Sequence, residues 1–149
     1  MKRQARLLAT TGAVLAVLAA AAFGFERWYE AGPGSTHAYA VVVTRDGREM
    51  HRFSLAELQR LHARTVKMQG QDETGPTLLS VLRAAGIDAF SAVTITGLGV
   101  RDKGELELER KQVDDRVLLD IAKRGTAKLC GPDIPYASRV RDVIRLAVR

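Results

Sequence analysis

"GPTLLSVLRAAGIDAFSAVTITGLG", residues 75–99, sets a helical pattern directly before a strand pattern, and that succession decides the fold class. Leu78, Leu79, Val81, Leu82 and Ala85 recur as one apolar stripe, with Pro76 at the helix start and Gly86 as its stop. The β-branched run "SAVTITGL" (91–98) then predicts a strand.

The flanking segments extend the same mixture. Upstream, "AYAVVVT" (38–44), the Asp-Gly of "RDGR" and the returning "EMHRF" predict a β-hairpin. Ser54 and Glu57 stand three apart before an apolar run, the spacing of a capping box, and predict a short helix from about Leu55 to His62. "RTVKMQ" (64–69) reads as a strand and "GQDETG" (70–75) as a polar loop. Downstream, "GVRDKG" (99–104) is a turn, and the alternating "ELELE" (105–109) buries Leu106 and Leu108 while exposing three glutamates. "VDDRVLLDIAKRG" (113–125) reads as a turn of helix leading into an apolar segment, "TAKLCG" (126–131) as a short strand, and "RVRDVIRLAVR" (139–149) as the apolar closing segment. The expectation is one α+β domain over 38–149, a mixed, largely antiparallel sheet with short helices.

The N-terminus has a different character. Lys2, Arg3 and Arg6 precede a stretch without charge from Leu7 to Phe25, about 28 Å if helical and close to the thickness of a bilayer core. Residues 1–30 therefore predict a transmembrane signal anchor or a signal peptide, with "AGPGSTH" (31–37) as a linker. Ala22-Phe23-Gly24 fits a cleavage site, whereas the length of the run and the Trp28-Tyr29 pair favour an uncleaved anchor. The basic head stays cytoplasmic under the positive-inside rule, which sets the domain on the extracytoplasmic side of the cell membrane, or outside the cell if the segment is cleaved.

The 149 residues carry a formal charge of +6, part of it in that basic head. Elsewhere arginine and lysine alternate with acids, as in "RDKGELELERK", and aromatics are few, so nucleic acid is not an expected partner. The single cysteine, Cys130, excludes an intramolecular disulfide and a multi-cysteine zinc site. His37, His51 and His62 lack ligand spacing, and Asp114-Asp115 reads as a helix-start pair facing a dipole. No P-loop, GxGxxG, GxSxG or HExxH motif is present. Cys130 beside Leu129 reads as a small buried side chain, with Lys128 the one nearby group able to activate it.

Taken in order, "FSLAEL", "GPTLLSVLRAAGI", "VTITGL", "VLLDIAKRGTAKL" and the terminal "VRDVIRLAV" resemble the sulfite-oxidase-like molybdopterin-binding domain over nearly all of residues 38–149. The resemblance implies that family's fold and a molybdopterin cofactor. It also implies cofactor-contacting positions at Lys67, Met68, Gly70, Arg139 and Arg141. Active members of the family carry a metal-ligating cysteine in a Cys-x-Gly context, where this chain has Met68-Gln69-Gly70. A thioether carries no charge and is a soft, weak ligand, unlike a thiolate. The family's His-Gly-x-Pro-Leu-Arg stretch would fall near "LCGPDIP" (129–135), without its His and Arg.

Three readings follow. The first is a membrane-anchored, non-catalytic ligand-binding or accessory module serving a redox or membrane protein partner. The second is an active molybdenum oxidoreductase with Cys130 as the metal ligand. The third is a cofactor-free structural or sensor domain.

Overall fold

Asp46 and Gly47, at φ 50° and 77°, close the first hairpin in the left-handed conformation that an Asp-Gly turn supplies. They join β1 (Ala40–Arg45) to β2 (Arg48–Ser54) in a computed structural model that describes residues 38–98 and 104–149. The expected anchor and linker, His37 and the body of the "GVRDKG" turn lie outside the described residues. Among the described residues no helix is long and apolar enough to cross a membrane.

Ser54 caps helix α1 (Leu55–Arg60), its hydroxyl accepting from the Glu57 amide while the Glu57 carboxylate accepts from the Ser54 amide. The chain then forms β3 (Ala63–Met68) and β4 (Gln71–Pro76), an antiparallel hairpin over the whole register from Ala63↔Pro76 to Met68↔Gln71. The polar-loop expectation for residues 70–75 is thus overturned. Gln69 and Gly70, at φ 52° and 82°, make a second two-residue turn, and Glu73 and Gly75 alternate inward while Asp72 and Thr74 face solvent. Pro76 ends β4, and Thr77 caps α2 (Leu78–Ala84) by accepting from the Ser80 amide.

β5 (Ala92–Gly97) and β6 (Glu105–Glu109) pair antiparallel, with Leu108 buried, Leu106 partly buried and the three glutamates exposed. A 3-10 turn at Arg110–Gln112 follows. Residues 113–116 are not helical: Asp114 accepts from the Arg116 amide and guanidinium, and Asp115 pairs with Arg64 across the chain, so neither aspartate stands at a helix start. β7 (Leu118–Ile121) and β8 (Ala127–Cys130) form a further hairpin. A 3-10 turn at Tyr136–Ser138 leads to β9 (Val143–Val148).

The main sheet has the order β2-β1-β9-β5-β6, with β9 parallel to β1 and antiparallel to β5. The fold class is α+β, sheet-rich and largely antiparallel. Alternate residues of these strands (Val41 and Val43, Val93 and Ile95, Leu146 and Val148) share one buried cluster with Leu58 of α1 and Leu78, Val81 and Leu82 of α2. Each such side chain removed from water stabilises the fold by about 1.5–3 kcal/mol. The Tyr39 hydroxyl ties the strand ends together, donating to the Val143 carbonyl and accepting from the Ala127 amide, and its burial raises its pKa to about 12.

Candidate functional site

The two smaller hairpins present matching faces. Val66 and Glu73 are directly opposite in the β3–β4 register, and Met68 lies two residues beyond Val66 on the same face. On the β7–β8 hairpin, Asp120 stands opposite Lys128 and Leu118 opposite Cys130. Met68, Leu118 and Cys130 pack together as a small buried cluster, with Val66 at its edge. β4 approaches β7 closely enough that a Cβ on Gly75 would stand 2.1 Å from the Leu119 carbonyl oxygen, so only glycine fits there.

Beside this apolar cluster lies an ionic one. The Lys128 ammonium donates to both Glu73 carboxylate oxygens at 3.2 and 3.1 Å and lies 3.3 Å from Asp120. Arg139, whose side chain is only 4% exposed, donates from Nη1 to Glu73 at 3.0 Å and covers the Tyr136 ring at 5.2 Å. Two carboxylates thus meet two cations and cancel. Burial pushes the Glu73 carboxyl up, but Lys128, through its hydrogen bonds and charge, outweighs this together with Asp120 and Arg139, leaving Glu73 below the ordinary glutamate value. Burial acts against the Lys128 ammonium, and Cys130, Glu73 and Asp120 around it raise its pKa nonetheless.

Glu73, Asp120 and Cys130 bring ligand atoms within 4.8 Å of one another, the one such grouping among the described residues. Its chemistry does not suit molybdenum. Cys130 is fully buried against Met68 and Leu118, and a metal would have to displace the cations that already satisfy the carboxylates. Met68 is 4% exposed and spent on packing.

Of the positions singled out by resemblance, Met68 and Arg139 border this region from two sides. Arg141 lies 5.5 Å from the Tyr136 ring and donates to its hydroxyl at 2.9 Å, so Tyr136 gathers both arginines. Lys67 points to the exposed face of β3, away from Met68, and Gly70 serves the hairpin turn. Sequence reasoning singled out Lys128 only as a neighbour of Cys130 and missed the part played by Glu73 and Asp120. The signal for Glu73 was the Gln69-Gly70 turn, which converts the acidic stretch after it into a returning strand with an inward alternate face. His51 packs on Phe53 with ring centroids 4.2 Å apart and lies 3.6 Å from Glu57, while His62 is exposed. No known family model matches the chain, and neither does any curated protein.

Proposed function

We propose that residues 38–149 form a non-catalytic ligand-binding or accessory module with the fold of the sulfite-oxidase-like molybdopterin-binding domain. In this reading residues 1–30 hold it at the extracytoplasmic face of the cell membrane, where it serves a redox or membrane protein partner. The observation that carries the non-catalytic part is the state of the two sulfurs. In this reading Met68 fills the thiolate position with a buried thioether, and the Cys130 sulfur is fully buried beside carboxylates that Lys128 and Arg139 already engage. The thioether cannot supply the charged sulfur that stabilises a high-valent metal, and the Cys130 sulfur has no exposed face to offer one. The reading also draws on the α+β, largely antiparallel architecture, the class that the resemblance implies.

The test is metal and pterin analysis of the full chain, produced in cells that make molybdenum cofactor and purified from the membrane fraction. Molybdenum well below one atom per chain is expected. Stoichiometric molybdenum that is lost in Cys130→Ser would overturn the reading in favour of an active oxidoreductase. N-terminal sequencing of the same material checks the tether: retention of Met1 supports the anchor, and a soluble product starting near Phe23 refutes it.

A further inference from the structure

A concavity lies where the start of β3 meets α2, and none of Lys67, Met68, Gly70, Arg139 or Arg141 lines it. It is an open cleft of about 840 Å³, within the range of small-molecule sites. Its charged and polar walls come from His62 and Arg64 on one side, Ser80 and Arg83 of α2 on the other, and Asp115 of the loop before β7. Leu79 adds an apolar surface. Leu79 and Arg83 are four apart on α2, so a single helix face supplies the guanidinium and the apolar wall together.

The balance of charge in the cleft points to one ligand class. Its one carboxylate, Asp115, is already engaged by Arg64. Arg83 and His62 are exposed, and among the described residues their side chains make neither an ion pair nor a hydrogen bond with the protein. Ser80 spends its hydroxyl proton on the Thr77 and His62 carbonyls at 2.8 and 3.4 Å, so Arg83 is the donor that α2 brings to the cleft. A guanidinium with all its donors unfilled, set against an apolar side chain, matches a planar or tetrahedral oxyanion on an organic body. A bare ion would leave the apolar wall unused, and a cation would meet Arg83 unopposed.

We infer that this cleft binds a small organic anion, with a carboxylate or phosphate head on Arg83 and an apolar body against Leu79. The site is independent of the pterin-fold reading, since it uses none of the residues on which that reading rests. Three probes separate the sources of the oxyanion: phenyl phosphate, benzoate and inorganic phosphate, titrated calorimetrically into the full chain in non-ionic detergent at low salt. Phenyl phosphate or benzoate is expected to bind more tightly than inorganic phosphate. R83Q should weaken the better probe about tenfold or more, as expected for loss of a charged hydrogen-bonding partner. D115N, which releases Arg64, should tighten it severalfold, and R48Q, a charge removed from the start of β2 outside the cleft lining, should leave it unchanged. All three positions are exposed, and unchanged thermal unfolding of each variant confirms that the fold is retained. Absence of binding by all three probes, or an R48Q effect as large as that of R83Q, would overturn the site.

Discussion

Removing the Glu73 carboxylate would leave the buried Arg139 without its ion-pair partner and Lys128 with Asp120 alone, beside Met68, Leu118 and Cys130. Deleting one member of a buried ionic group costs about 3–5 kcal/mol, far more than the net worth of the group. Glu73→Ala is therefore expected to lower stability by that amount in urea denaturation, whereas the exposed Glu49→Ala, which breaks a surface pair with Arg52, should cost less than about 1 kcal/mol. The same carboxylate sets an acid limb. Its folded pKa lies below the ordinary 4.5, so its contribution is fully present above that value and is lost as pH falls through the folded one. Denaturation midpoints measured from about pH 6 to about pH 3 should fall less steeply in Glu73→Gln than in the unmodified chain. The inward turn of Glu73 was hidden in the sequence because its neighbours Asp72 and Thr74 are solvent-facing and polar, and a single buried acid among them has no apolar pattern to mark it. Cys130 was legible as a buried side chain because the residue beside it, Leu129, and the strand it ends are apolar.

At the scale of elements, local devices could be read directly and distant ones could not. The Ser54–Glu57 box, the Asp46-Gly47 turn and the alternation of residues 105–109 each act within a few residues, and each appears in the structure where its spacing placed it. β4 differs. Its composition argues for a loop, and its extended state is imposed by the Gln69-Gly70 turn and by the close approach of β7, neither of which its own residues announce. Two substitutions separate these classes. Ser54→Ala removes one capping interaction and should cost about 1 kcal/mol. Gly75→Ala puts a Cβ 2.1 Å from the Leu119 carbonyl oxygen and 2.7 Å from its carbon, so backbone must move, and a loss of about 4 kcal/mol or more is expected. Gly47→Ala, at φ 77° with open space around it, serves as the control for strain without a clash, at about 1 kcal/mol. Denaturation midpoints in that order, Gly75→Ala lowest by a wide margin, would locate the tight β4–β7 approach in solution.

For the molecule as a whole, the α+β class followed from alternating helical and strand periods, but the strand order did not. Hairpins declare their pairing through the turn between them. β9 pairs instead with β1, as in Val42↔Arg145, across about a hundred intervening residues, and no local pattern encodes that choice. The consequence is that the strand nearest the C-terminus occupies the centre of the main sheet. It holds β1 on one side and β5 on the other and contributes Val143, Leu146 and Val148 to the core. Without it, β1–β2 and β5–β6 become separate hairpins, each too small to be stable alone in water. Deleting residues 143–149 is therefore expected to abolish cooperative unfolding altogether, with loss of the sigmoidal transition in circular dichroism and of amide protection in strands on both flanks. A peripheral strand would behave otherwise: had β9 only decorated an edge, the truncated chain would keep a cooperative transition at reduced midpoint, and protection would be lost on one side of the sheet alone.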